Sequence, residues 1–283
     1  MKARMGIVSG RYRSSQTSIN GRSQPQTVIE LFGRTDTGAS VCLLVHGLRP
    51  SFEIAPIGTW DLEDGLPSFI KDRIENVRSM EHVLDVSGPE TKLTHLGDRP
   101  VWKIEVEQPF HVPALRKTLK TRSWQVFSGD IPFVNRLFLD GDVGTHIAFE
   151  GEVVDKRADQ GPVDKAEVLM AGGSGRYGVD ITVRCDIEQV RATEPFQVPY
   201  TLFSFDLETS IEHETVLCAA ACVEHLGSGE RQMFEYRGTE SEILEGLTAT
   251  VQATDPDIIT GYNIDNFDLP RLADRTNVLR RNQ

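Results

Sequence analysis

The residues best placed to do chemistry lie in Tyr200-Thr-Leu-Phe-Ser-Phe-Asp-Leu-Glu-Thr209. A strand turns successive side chains to opposite faces, so Phe203, Phe205 and Leu207 share one face and Asp206 and Glu208 the other. Two like charges beside a core repel and lose solvation, so one must take up a proton unless a cation stands between them. A hard divalent ion such as Mg²⁺ binds carboxylate oxygens and removes that conflict. An ordinary strand end, with acidic residues emerging into solvent, accounts for the same pattern. A second stretch, Asp255-Pro-Asp-Ile-Ile-Thr-Gly-Tyr-Asn-Ile-Asp-Asn-Phe-Asp268-Leu-Pro270, predicts a short buried strand, a loop rich in Asn and Asp, and a helix from about Asp268. Catalytic groups of α/β sheets gather at such strand-to-helix crevices. Here too a plainer reading exists: Asp268 suits a helix N-cap with Pro270 close behind, and Asn263 and Asn266 suit turns.

The elements that must position these groups follow from periodicity and punctuation. Strands are predicted at 201–208, 214–223 and 231–236, joined by turns with Gly and Ser. Thr239-Glu-Ser-Glu242 is a capping box, and the helix behind it buries Ile243, Leu244, Leu247 and Val251. Three strands, a helix, a strand and a helix open a mixed α/β sheet. Upstream, 27–32 and 40–46 read as a hairpin and 66–77 as an amphipathic helix turning Phe69, Ile70 and Ile74 inward. A strand at 101–106 and helices at 112–121 and 132–139 follow, so this part reads as an α+β domain. The outer face of 112–121 and the residue after it carry Arg116, Lys117, Lys120 and Arg122, a solvated face or a track for a phosphate backbone. The resulting division is a flexible polar arm at 1–26, a first domain at 27–150, a strand-bearing connector at 151–198 with an AGGSGRYG turn at 171–178, and a second domain at 199–283.

In order along the chain, the two acidic stretches resemble the B-family DNA polymerases at the start of their 3′–5′ proofreading exonuclease domain. FSFDLET is similar to the family's first exonuclease motif, with Asp206 and Glu208 at metal-binding positions. GYNIDNFDLP is similar to the second, with Asn263, Phe267 and Asp268 at pattern positions. LFGRTDTGASVCLLVHGLRPSF (31–52), PFHVPALRKTL (109–119) and DIPFVNRLFLDGDV (130–143) resemble the family's N-terminal domain. The first of these favours the delta-like branch shared by eukaryotes and archaea, although Ser51, with Phe52 next, stands where members often have an aromatic. The resemblance implies an α+β N-terminal domain followed by a ribonuclease-H-like α/β exonuclease domain, cut before its third motif.

The chemistry so implied is two-metal hydrolysis of a phosphodiester, with Asp206 bridging two Mg²⁺ or Mn²⁺ ions and Glu208 and Asp268 completing their ligand sets. Phe267 would shape the site, Asn263 would hold the loop, and a frayed single-stranded 3′ end would be the substrate. Pro109 and Val112 match positions of the pocket by which archaeal members recognise uracil in a template, although a Pro-x-x-Val helix entry fits plain packing as well. The third motif and the palm, fingers and thumb are expected beyond residue 283. The chain thus reads as the N-terminal portion of a DNA polymerase, inactive or nearly so alone. Its implied partners are template-primer DNA, the rest of the polymerase and, through the far C-terminal part, a sliding clamp. The competing reading is a non-catalytic DNA-binding or scaffolding module with an incomplete exonuclease fold. A stand-alone exonuclease fits the polymerase-type first domain poorly.

Composition bounds these readings. The 283 residues suit two domains, and 30 basic against 42 acidic residues leave a net charge of −12. That balance argues against a protein that coats nucleic acid by charge alone, but not against an enzyme that meets it through bound cations or a local basic face. Cysteines at 42, 185, 218 and 222 are too scattered for a disulfide framework. With no signal-like N-terminus and no apolar window of membrane length, the chain is read as intracellular, in cytoplasm or nucleoid if archaeal and in the nucleus if eukaryotic, with no membrane partner. His213, Cys218, Cys222 and His225 lack the close Cys-x-x-Cys spacing of structural zinc sites. Arg271, Arg275, Arg280 and Arg281 are a second basic concentration, suited to the later turns of the last helix.

Overall fold

The computed structural model describes residues 1–19, 22–58, 67–95, 97–156 and 178–281. Among these, the strands form three sheets, each backed by a core of its own.

The first sheet joins β1 (Lys2–Ile19), β2 (Arg22–Thr35), β3 (Ser40–His46), β8 (His146–Glu150), β9 (Glu152–Lys156), β10 (Ile181–Asp186) and β11 (Val190–Ala192), in the order β11-β8-β1-β2-β3-β10-β9. Met5, Leu31, Leu43, Phe149 and Val183 pack on its inner face, closed by Phe133 and Leu137 of α3 (Phe133–Asp140). The expected arm at 1–26 is a correction: β1 and β2 pair antiparallel from Met5↔Thr35 to Ile19↔Arg22. A ladder joins backbone groups and is indifferent to side-chain polarity, so a segment poor in apolar residues still finds its partner. At its base the buried carboxylate of Glu30 takes Arg11 and Arg13, each at 2.7 Å. The described parts of 151–198 also join this sheet, β10 lying parallel to β3. Most of the AGGSGRYG turn lies outside the described residues.

The second sheet runs β5-β6-β4-β7, from β4 (Ser51–Pro56), β5 (Val83–Thr94), β6 (Gly97–Val106) and β7 (Trp124–Phe127). Helices α1 (Ser68–Arg78) and α2 (Val112–Thr121) bring Ile70, Ile74, Val77, Leu115 and Leu119 onto Phe52, Ile54, Trp102 and Ile104. Phe69, expected inside, is 45% exposed. At 100° per residue the buried stripe runs through 70, 74 and 77, and position 69 falls off it. The predicted start of this helix at 66 lies outside the described residues.

The third sheet, β14-β13-β12-β15, carries the acidic motifs. Strands β12 (Thr201–Thr209), β13 (Val216–His225) and β14 (Glu230–Tyr236) are antiparallel neighbours. Helix α4 (Glu240–Thr254) then crosses over, and β15 (Ile258–Thr260) returns parallel to β12. The capping box is formed, with Glu242 Oε2 accepting from Thr239 N–H at 2.8 Å. Ile243 and Leu247 of α4 pack on Phe203, Phe205, Leu207 and Val223. Strand β15 was expected to be buried, yet Ile259 is 45% exposed. Among the described residues it lies at the outer end of the sheet order, beside β12. Helix α5 (Asp268–Arg281) follows.

Candidate active site

Strand alternation places the first two carboxylates as expected. Phe203, Phe205 and Leu207 are buried against α4, and Asp206 and Glu208 emerge on the opposite, exposed face. β15 stops pairing at Ser204↔Thr260, whereas β12 runs on to Thr209. The edge of β12 beyond Ser204 is therefore left to the loop that follows β15. In a strand, the Phe205 carbonyl and the Leu207 N–H point to the same edge. Gly261 covers the first, so closely that an added Cβ would lie 2.5 Å from the Phe205 oxygen. Asp268 takes the second, Leu207 N–H donating to its Oδ1 at 3.2 Å.

Between these anchors the loop is a tight turn. Asn263 adopts a left-handed backbone (φ 55°), which Asn tolerates well. Its carbonyl accepts from the N–H groups of Asn266 and Phe267, both at 3.1 Å, and its Oδ1 from Asn266 Nδ2 at 3.0 Å. Ile264 pins the loop to the third core. Tyr262 and Phe267 stay outside, 93% and 39% exposed.

Asp268 is 1% exposed, a carboxylate carried into the protein beside the acidic strand. Its pKa is raised, first by burial and then by the charge of Asp206, with the Leu207 N–H acting the other way. Asp206 and Asp268 offer carboxylate oxygens here, and the charge of Asp206 adds to the cost of ionising Asp268. The set fits a hard divalent ion such as Mg²⁺ or Mn²⁺. The three-ligand cluster found among the described residues, His82, Glu107 and His111, lies elsewhere, in the segments next to the second sheet.

The remaining expected residues divide. Arg271 pairs with Glu214 at 2.8 Å, and Arg275 forms two 2.7 Å bonds with Glu240, so these cations are engaged within the fold. Val112 packs against the second core, and Pro109 opens a short 3-10 turn ahead of α2. Arg116 faces Asp130 at 4.0 Å, while Lys117, Lys120 and Arg122 are exposed. Ser51 is buried and accepts from Arg136, and its neighbour Phe52 lies in the second core. His213 is exposed and His225 bonds Thr201, so the four-residue zinc set does not assemble. Gly261 and Asp257 escaped the sequence reading, although both stand in the quoted motif. Asp257 accepts from Arg34 Nε at 2.6 Å and from Thr201 N–H at 2.8 Å, tying the third sheet to the first.

Residues 222–283 match the family model described as DNA polymerase family B, exonuclease domain. Over most of its length the chain is similar to DNA polymerases. It is 26% identical to the DNA polymerase catalytic subunit of Saimiriine herpesvirus 2, over 88% of this chain and 26% of that protein. It is 25% identical to the DNA polymerase delta catalytic subunit of Oryza sativa (94% of this chain, 27% of that one) and 27% identical to DNA polymerase 2 of Aeropyrum pernix (89% and 30%). Among solved structures, the family B DNA polymerase of the archaeon Pyrobaculum calidifontis aligns with a TM-score of 0.63 at 22% identity, covering 98% of this chain and 32% of that one. The fold class expected from the motifs, an α+β N-terminal part before a ribonuclease-H-like α/β sheet, is the one found. The chain spans between a quarter and a third of the length of these relatives.

Proposed function

We propose that this chain is the part of a DNA-directed DNA polymerase that supplies Asp206, Glu208 and Asp268 to a 3′–5′ proofreading exonuclease site. The observation that carries the reading is Asp268, a buried carboxylate fastened to the Leu207 N–H beside Asp206. Two Mg²⁺ or Mn²⁺ ions held there would supply Lewis-acid stabilisation and an activated water. Strand β12 holds Asp206 and Glu208 on a rigid ladder, and the helix start holds Asp268 across from them. Asn263 fixes the turn between strand and helix. Phe267, with Tyr262 beside the same turn, offers exposed rings on which the bases of a single-stranded 3′ end can stack. Arg116, Lys117 and Lys120 on α2, with Arg122 just after it, are the proposed backbone contacts. Template-primer DNA, the rest of the polymerase chain and a sliding clamp are the proposed partners, in an intracellular setting; no helix among the described residues is long and apolar enough to cross a membrane.

Metal binding tests this reading directly, since the 283-residue chain by itself is expected to hydrolyse DNA little or not at all. Calorimetry with Mn²⁺ should find binding to the wild type that Asp206→Ala removes. At a hundredfold excess over Kd the ion should stabilise the fold by about 2.7 kcal/mol. Unchanged binding in Asp206→Ala would mark the carboxylates as surface residues and favour the non-catalytic scaffold.

A further inference from the structure

We infer that His82, Glu107 and His111 form a second metal site, in the second sheet's unit, for a borderline transition ion such as Zn²⁺. The three come from separate elements: the turn between α1 and β5, the residue after β6, and the residue that caps α2. One ligand atom from each lies within 4.8 Å of the others. His82 Nδ1 stands 2.9 Å from Glu107 Oε2, and the backbone repeats the link, Glu107 N–H donating to the His82 carbonyl at 3.1 Å. His82 adopts a left-handed backbone (φ 67°), uncommon for a residue with a Cβ though His enters it more readily than most. All three are half-buried, and the two histidines open onto a cavity of about 580 Å³ whose walls include Arg73, Leu115 and Trp124.

Two imidazoles and one carboxylate are the donor set of open zinc sites, in which the fourth position is left to water or a ligand. Imidazole nitrogen favours Zn²⁺, Co²⁺ or Ni²⁺ over Mg²⁺, so this site and the acidic one select different ions. The second acid beside His82, Glu81 at 3.6 Å from its Nε2, adds negative charge that a dication would balance. The rings of His82 and His111 are stacked, with centroids 3.5 Å apart and planes 9° from parallel. Ring lone pairs lie in the ring plane, so one imidazole must swing out of the stack for both to meet one ion. His82 is held by Glu107, which leaves His111, at the start of α2 and facing the cavity, to make the move.

The test is a Zn²⁺ titration of the EDTA-treated full chain carrying Asp206→Ala and Asp268→Asn, which silences the acidic site. One equivalent should bind, excess Mg²⁺ should not displace it, and Co²⁺ in its place should give a tetrahedral-type visible spectrum. Glu107→Gln or His111→Ala should weaken binding at least about tenfold while circular dichroism stays that of the parent. His82→Asn, which keeps a residue tolerant of the left-handed backbone, should do the same. Absence of Zn²⁺ binding in the silenced background, or binding untouched by His111→Ala, would overturn the site and leave a hydrogen-bonded histidine pair.

Discussion

Gly261 is the residue on which the acidic site's geometry turns. A methyl there would meet the Phe205 carbonyl oxygen at 2.5 Å, and that oxygen belongs to a strand that cannot retreat. Gly261→Ala is expected to cost about 1–3 kcal/mol in denaturant unfolding and to weaken Mn²⁺ binding, because the loop lifts off β12 and carries Asp268 with it. Asp268 itself behaves in the opposite sense. Its pKa is raised in the fold by burial and by Asp206, so the ionised carboxylate costs stability above that pKa, and the cost disappears as the group is protonated. Asp268→Asn keeps an acceptor for the Leu207 N–H and removes the charge. In EDTA at neutral pH its melting temperature should equal or exceed that of the wild type, while the gain on adding Mn²⁺ vanishes. A lower melting temperature in EDTA would show that the carboxylate is there for the fold.

At the scale of elements, α4 and α5 are locked by Glu240 and Arg275, with two bonds of 2.7 Å, and Glu240 also accepts from Val216 N–H at 2.8 Å. The Arg275 bond is the main cause that holds the Glu240 pKa below its ordinary 4.5. A depressed carboxylate pKa contributes stability above the unfolded value and loses it as pH falls through the folded one. Glu240→Gln should therefore destabilise the chain at pH 7, by about 1–3 kcal/mol, and progressively less below pH 4.5. An equal loss at both ends of that range would rule out the charge as its source. Helix α2 and the capping box of α4 were legible in sequence because their signals are local: a 3.6-residue stripe, a hydroxyl and a Glu three positions on. Strands β4, β5 and β7 escaped that reading. Their stability comes from partners distant in sequence, and β5 shows the core little besides Val86. The α5 arginines read as charge suited to the later turns of their helix, and only packing revealed Glu214 and Glu240 opposite Arg271 and Arg275.

For the whole molecule, the contact of interest joins the first and third sheets. Arg34 on β2 reaches Asp257, which also accepts from Thr201 N–H at the start of β12. Beside it Tyr200 is pushed up to about 12, by burial first and by Asp257 second, and its ring leaves no room for a side chain at Gly6 of β1. Arg34→Ala leaves a largely buried carboxylate without its cation and should cost about 1–3 kcal/mol. It should also separate the unfolding of the two sheets, visible as a broadened or split calorimetric transition. A single sharp transition at the wild-type temperature would mean that the sheets are coupled elsewhere.

The sequence by itself determined which side chains could hold a cation and on which faces of their strand and helix they sit. Alternation in β12 and the strand–loop–helix after Thr260 are local consequences of residue type, so Asp206, Glu208 and Asp268 could be singled out from spacing and resemblance. Tertiary structure decided what sets Asp268 beside Asp206 and the Leu207 N–H. β15 ends before β12 does, Gly261 lets the loop close on the exposed edge, and the burial that makes Asp268 unusual exists only once α5 packs there. It likewise decided that a polar N-terminal stretch is a strand and that His82 and His111, 29 positions apart along the chain, share one cavity wall. Such facts depend on backbone pairing and burial between distant segments, which side-chain composition does not encode position by position.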